Sequence, residues 1–229
     1  MAPIELLHLL GPSMTREELN RFFLVAENIL VQPDPALELD AERRWMAEVY
    51  GKVRQESGLV IASIVDSLAK LSFYAEREVD PQGEAIKVGV DKLVRELLGN
   101  ADQKRWLSLN GVFRGLAEAS PDEFLNAVEA SLNMSPPPIC ALLMESDDGL
   151  HFRGQCWHAD LLWALELSAW SATRLSRVAD ILARLSLTPI CRVPDDCIDP
   201  RRLALFAGRA FFRDLIITVE ARQAGEFRP

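Results

Sequence analysis

The chain has 229 residues, of which 49% are hydrophobic and 26% are charged, and its formal net charge is −9. This composition is typical of a globular protein and excludes global disorder, and the length allows a sizeable core without disulfides or metal ions. Residues 1–150 carry 14 Lys and Arg against 25 Asp and Glu, whereas residues 151–229 carry 11 Arg, no Lys and 9 acids. Because binding to a phosphate backbone needs a concentrated basic face, this balance argues against nucleic-acid binding by the whole chain.

The sequence shows no membrane or export signal. No stretch reaches the roughly 18 uninterrupted apolar residues of a membrane span, and residues 1–10 lack the basic flank and cleavage site of a secretory signal. All of the cysteines lie in the second half of the chain: Cys140, Cys156, Cys191 and Cys197. We therefore expect a cytoplasmic protein with free thiols and no membrane contact.

The first half of the chain predicts a series of helices separated by Gly and Pro. A short helix over residues 3–10 ends at Gly11, and Thr15 and Glu18 form a capping box for a second helix that ends at Pro33. Periodic apolar residues then predict further helices over residues 40–50 and 57–76, from the turn at 80–83 to a stop at Gly99, and over 103–118. The helix over 57–76 has few polar positions, so we expect it at the centre of the fold.

The second half begins with the best helix start in the chain. Ser120 is placed as the N-cap, Pro121 as the first helical residue, and Glu123 as the acid of a capping box. A stiff run of prolines over 136–138 then leads into a short apolar helix over 139–144. This part of the chain therefore continues the helical pattern.

The most regular pair of helices follows. Residues 157–170 are apolar nearly all round, which predicts a buried helix, and an acid at its start, Asp160, is explained by the helix dipole. Ser171 caps the next helix, whose apolar stripe includes Val178 and Leu182. Two helices joined by so short a turn must fold back on each other.

These elements predict an all-α fold, with the helices arranged as an irregular, HEAT-like stack of antiparallel hairpins. A compact orthogonal helical bundle is the alternative arrangement. We expect one helical domain over residues 1–187, followed by residues 188–229 as a linker and a C-terminal helix packed on the same domain. Residues 215–219 are β-branched and fit either a short strand or a helix end.

Four residues form the best candidate for a metal site. Cys156 and His158 are spaced as C-x-H, and Cys191 and Cys197 as C-x5-C, and thiolate and imidazole suit tetrahedral zinc. Neither spacing matches the tight knuckles of structural zinc sites, so incidental free thiols are the competing interpretation. A metal-dependent hydrolase near Cys156 and His158 is the enzymatic alternative that this site would support.

Aromatic and basic residues on the last helical pair form the best candidate for a partner-binding surface. Three tryptophans lie on the apolar helix, and two arginines lie at the start of the next one: Trp157, Trp163, Trp170, Arg174 and Arg177. Trp and Arg are enriched at binding hot spots. The competing interpretation makes the three tryptophans core anchors of the hairpin.

Part of the chain also resembles a known kind of protein. Residues 116–132 (LAEASPDEFLNAVEASL) and 158–186 (HADLLWALELSAWSATRLSRVADILARLS) carry the likeness, which spans about 106–187 and fades after Pro189. This stretch resembles an α-helical region of large bacterial multidomain proteins of NTPase-associated, defence-related type. The resemblance implies a helical array that senses or binds a partner while the NTPase lies elsewhere, and it implies a fragment or split relative of such a system.

The sequence therefore predicts a non-enzymatic helical interaction module. No glycine-rich nucleotide-binding motif is present, so we expect no cofactor and no catalytic residues. The expected partner is another protein, with homo-oligomerisation as a further possibility.

Overall fold

A computed structural model describes residues 11–77, 81–144 and 157–187, together with Glu5, Leu7 and Leu9. Within these residues the regular elements are nine α-helices and four short 3-10 helices, and none of them is a strand. The all-α prediction is confirmed. The predicted elements over 188–229, including the undecided segment 215–219, lie outside the described residues.

The α-helices are numbered in chain order. They are α1 (Arg16–Leu30), α2 (Gly58–Arg77), α3 (Pro81–Leu98), α4 (Gln103–Ser108), α5 (Phe113–Ala119), α6 (Pro121–Leu132), α7 (Ala141–Met144), α8 (Trp157–Ala169) and α9 (Leu175–Leu187). The 3-10 helices are Gly11–Ser13, Pro35–Glu38, Ala41–Met46 and Pro138–Cys140.

The start of α1 shows how local signals set a helix boundary. The Thr15 hydroxyl accepts a hydrogen bond from the Glu18 backbone N–H at 3.2 Å, and the Glu18 carboxylate accepts one from the Thr15 N–H at 2.8 Å. The predicted capping box is confirmed. Hydrogen bonding to Thr15 also lowers the pKa of Glu18.

Two predicted helices differ from the structure. The helix expected over 40–50 is only the 3-10 helix Ala41–Met46, and its N-cap residue Asp40 makes no side-chain capping bond. The helix expected over 103–118 is divided into α4 and α5, because the chain turns at Gly111 with a φ of +93°.

The start of α6 is placed correctly, but its predicted capping box is wrong. The Ser120 hydroxyl does not cap α6 and instead donates a hydrogen bond to Asp91 on α3. The Glu123 carboxylate accepts two hydrogen bonds from Arg95 on α3, at 2.7 and 3.0 Å. Both side chains therefore connect α6 to α3, because the neighbouring helix offers stronger partners than the helix end.

The core is built around the short helix α5, which contacts α2, α3, α6 and α8. The Phe113 ring lies between those of Trp106 and Phe124, with centroids 5.6 and 6.2 Å away, and all three side chains are fully buried. Helices α8 and α9 pack against each other, as predicted, and α2 also packs against α3, so α5 joins two helical hairpins.

Helix α2 is the one helix in the described ranges that is long and apolar enough to cross a membrane by length and composition. Core helices of globular proteins pass the same test. Its apolar stripe, which includes Ile61, Val65 and Leu68, is buried, and the helix packs against α3 and α5. The helix is therefore buried along one side only, since Leu59 and Val60 are 81% and 44% exposed.

Gly115 allows α2 and α5 to approach closely. A Cβ atom at Gly115 would lie 2.3 Å from Cγ1 of Val65, far inside van der Waals contact. Val65 is itself buried and has a short, branched side chain that cannot turn away. The distance between these helices therefore depends on the absence of a side chain at position 115.

We predict that Gly115→Ala lowers the free energy of unfolding by about 1–3 kcal/mol, because overpacking outweighs the better helix propensity of Ala. Denaturant unfolding followed by circular dichroism measures this change. Gly58→Ala is the matched control, since a Cβ there meets nothing within 4 Å. Val65→Ala should lower the free energy of unfolding less in the Gly115→Ala background than in the wild type, because it removes the side chain that clashes with the Cβ introduced at position 115. Equal decreases in the two backgrounds would contradict the steric explanation.

Candidate functional site

Helix α8 buries one side and exposes large aromatic residues on the other. Leu161, Ala164 and Leu165 are buried, whereas Trp163 is 58% exposed and Trp170, just after the helix, is 78% exposed. The predicted burial of 157–170 is therefore right for one side only. The core-anchor interpretation is wrong for Trp163 and Trp170, because uniform apolarity does not show which side of a helix has a neighbour.

Trp163, Leu167 and Trp170 form what we call the aromatic stripe. Their spacing of four and three residues places them on one side of the helix. The Arg114 guanidinium of α5 lies 5.7 Å from the centroid of the Trp163 ring, a cation–π arrangement. Trp157, the third predicted tryptophan, is half-buried, and the Arg44 guanidinium lies 6.0 Å from its ring centroid.

A cleft of about 430 Å³ adjoins the aromatic stripe. Helices α2, α5 and α8 each contribute to its lining, and Leu167 belongs to both the stripe and the cleft. The charged and aromatic side chains of the lining are Asp66, Lys70, Phe73, Glu76, Glu118 and Arg174. Because α5 contacts both α2 and α8, this central helix sets the separation of the two longer ones.

The charged groups of the cleft differ in whether they have hydrogen-bonding partners. Lys70 pairs with Asp66 inside the cleft, and Arg174 donates two hydrogen bonds of 2.9 Å to Asp122 of α6. By contrast, the carboxylates of Glu76 and Glu118 are exposed and accept no hydrogen bond from a described residue. A ligand entering the cleft therefore meets two available acceptors, while both of its cations are already paired.

Arg174 and Arg177 belong to the contact between α6 and α9. Arg177 donates to both carboxylate oxygens of Glu129, at 2.9 and 3.0 Å, and to Asn126 at 2.8 Å. Hydrogen bonding raises the pKa of both arginines and lowers that of Asp122. These arginines, predicted as partner-binding residues, therefore form ion pairs within the chain, and Arg174 also lines the cleft.

Asp160 caps a helix other than its own. Its carboxylate accepts hydrogen bonds from the backbone N–H groups of Gly111 and Phe113, both at 2.8 Å, at the start of α5. Burial raises the pKa of Asp160, and hydrogen bonds from the backbone of Phe113, Gly111 and Arg114 offset part of that rise. No local signal in the sequence points to this role, since donors and acceptor lie 47 or more residues apart.

The predicted metal site lies largely outside the described residues. His158 is at the start of α8, but Cys156, Cys191 and Cys197 are not described. Among the residues that are described, no group of three or more His, Cys, Asp or Glu side chains could hold a metal ion. The metal site and the hydrolase near it stay predictions.

The remaining cysteine, Cys140, is buried and forms a disulfide. The prediction of free thiols is therefore wrong for this residue. The pattern of cysteines along the sequence could not show the pairing, because it depends on which parts of the chain the fold brings together.

A second apolar surface lies between α1 and α2. Its groove, of about 280 Å³, is lined by Phe22, Leu59, Val60, Ser63, Ile64 and Ser67. Leu59 is 81% exposed, and no charged residue is among the lining residues. This groove has none of the free carboxylates or tryptophans of the first site.

No protein-family model, curated protein or solved structure matches this chain. The resemblance of residues 106–187 to helical regions of bacterial NTPase-associated proteins therefore stays a prediction. The assignment of the candidate site depends on the geometry of α2, α5 and α8 alone.

We predict that Asp160→Ala lowers the free energy of unfolding by about 1–2 kcal/mol, because two backbone donors at the start of α5 lose their acceptor. Hydrogen exchange at the amides of Gly111 and Phe113 should accelerate as well. Asp180→Ala is the matched control, since Asp180 is exposed on α9 and accepts no hydrogen bond from a described residue. Equal effects of the two substitutions would contradict the capping role.

The pH dependence of this effect has a definite sign. Because the pKa of Asp160 is raised, the folded state holds the proton more tightly than the unfolded chain does. Its contribution to stability is therefore greatest below the unfolded pKa and falls as the pH rises through the folded pKa. We predict that the difference in free energy of unfolding between wild type and Asp160→Ala narrows as the pH rises from the unfolded pKa to the folded pKa of Asp160. Denaturant titrations measure this difference, and a difference that widens with pH would contradict the prediction.

We predict that Arg177 and Glu129 are coupled by about 0.5–1 kcal/mol, as partly exposed bidentate ion pairs are. A double-mutant cycle of Arg177→Ala and Glu129→Ala, followed by thermal unfolding, measures this energy. Arg21→Ala on α1 is the control, because Arg21 is exposed and makes no ion pair with a described residue. A coupling energy of zero would contradict a stabilising ion pair and would leave Arg177 available to a binding partner.

Proposed function

We propose that this chain is a non-enzymatic interaction module that binds a protein partner through the aromatic stripe and the adjoining cleft. The observation that carries the proposal is the exposure of Trp163 and Trp170, at 58% and 78%, on a helix whose other side is core. Tryptophan is the residue type most enriched at binding hot spots, and exposed apolar surface beside a cleft is typical of interaction sites.

The energetics favour a binding role for these residues. Burying an aromatic side chain removes a large apolar area from water, and each square ångström contributes roughly 25 cal/mol. The fold itself gains little from Trp170, which projects beyond the end of α8 into solvent. A partner that covers the stripe would bury the exposed apolar surface of Trp163 and Trp170, and this burial would stabilise the complex.

The finer features of the proposal come from the sequence. We propose a HEAT-like relationship of the helical hairpins and a role as the sensor part, or a fragment, of a larger bacterial system, supported by the resemblance of residues 106–187. Self-association is a second mode of binding, for which the apolar groove between α1 and α2 is the available surface. A cytoplasmic location stays a prediction.

Photo-cross-linking from the stripe tests the proposal. Trp170 is replaced by benzoylphenylalanine, the protein is irradiated in an extract of its source cells, and cross-linked products are identified by mass spectrometry. We expect one dominant partner protein, and we expect Trp163→Ala in the same chain to reduce its yield strongly, because the neighbouring hot-spot residue is lost.

Leu59 is the matched control position, since its exposure of 81% is close to the 78% of Trp170. The partner should not cross-link from this position on α2. Cross-linking from Leu59 alone would move the binding surface to the groove between α1 and α2. Absence of any product from Trp170 would contradict the proposal.

A further inference from the structure

We propose that the cleft between α2 and α8 receives an Arg or Lys side chain from an apolar segment of the partner. This inference rests on the proposed function and specifies the chemistry of the partner. The aromatic stripe would contact the apolar residues of that segment, and the cleft would hold its cationic side chain.

The availability of hydrogen-bonding groups in the cleft carries the inference. Glu76 and Glu118 are carboxylates without a hydrogen bond from any described residue, and carboxylates bind guanidinium and ammonium groups most strongly. An acidic side chain would find no free cation there, because Lys70 is paired with Asp66 and Arg174 with Asp122. The cleft is therefore complementary to a donor that brings positive charge.

The shape and the apolar lining fit the same side chains. Arg and Lys have long aliphatic stems that pack on apolar surface while the charged group reaches polar partners. Phe73, Ala117 and Leu167 supply apolar surface in the cleft that also holds Glu118. A volume of about 430 Å³ accommodates such a side chain but is small for a whole helix.

Two aromatic rings near the cleft already carry cations of this chain. The Arg77 guanidinium lies 4.3 Å from the centroid of the Phe73 ring, and the Arg114 guanidinium lies 5.7 Å from that of Trp163. The two rings therefore already contact arginines of this chain, whereas the carboxylates of Glu76 and Glu118 take no part in these contacts. A partner cation would therefore bind mainly through the two carboxylates, with Trp170 available for an apolar neighbour.

Selection of peptides tests the inference even while the partner is unidentified. A random linear-peptide library displayed on phage is panned on the wild-type protein, and clones are kept only if their binding is lost on Trp170→Ala. We expect the enriched peptides to share an Arg or Lys beside apolar residues. Isothermal titration calorimetry then gives the Kd of the consensus peptide for wild type and variants.

The double variant Glu76→Gln/Glu118→Gln should weaken binding of this peptide by about tenfold or more, because two negatively charged acceptors become neutral amides. The control Glu17→Gln/Glu48→Gln removes the same charge at exposed positions elsewhere and should change the Kd by less than about twofold. Enriched peptides without Arg or Lys, or equal weakening by both double variants, would overturn the inference and leave the proposed function standing. A library that yields no Trp170-dependent clone would count against both.

Discussion

Helix α5 has only seven residues, too few to be stable alone in water, and the rest of the fold depends on the contacts that hold it. At its start, the Asp160 carboxylate of α8 accepts hydrogen bonds from two backbone donors. In its middle, Gly115 lets Val65 of α2 approach to a distance that no side chain would permit. These two contacts bring α2 and α8 to the same short helix.

The candidate site follows from this arrangement. Because α5 holds α2 and α8 side by side without filling the space between them, a cleft remains along their common edge. The buried side of α8, which includes Leu161, Ala164 and Leu165, packs against the core, so Trp163 and Trp170 face outward. The ion pairs of Arg174 and Arg177 with α6 then hold α9 in place beside the cleft.

The sequence predicts those features that depend on residues close together in the chain. The capping box of Thr15 and Glu18 joins residues three positions apart, and the apolar periodicity of α2 marks the side of that helix that is buried. Contacts between helices leave no such local pattern. Ser120 and Glu123 have good local capping partners, yet they bind Asp91 and Arg95, 28 or 29 residues away.

The same limit applies to the site. Residue type alone identifies the tryptophans of α8, but their exposure depends on which side α5 covers. Arg174 and Arg177 fit a partner-binding pattern in the sequence, while their acids lie about 50 residues earlier. The free carboxylates of Glu76 and Glu118 carry no signal in the sequence, because exposed acids are common on helices and only the fold places these two at one cleft.

Oxidative footprinting of the tryptophans is the most direct test of partner binding through the aromatic stripe. Trp45 is 63% exposed and lies outside the aromatic stripe and the lining of the cleft, so it serves as an internal reference for Trp163 and Trp170. We expect hydroxyl radicals to oxidise all three residues in the purified protein, and we expect Trp163 and Trp170, but not Trp45, to become protected in an extract of the source cells. Equal oxidation of the three residues in both samples would contradict a partner-binding role for the aromatic stripe.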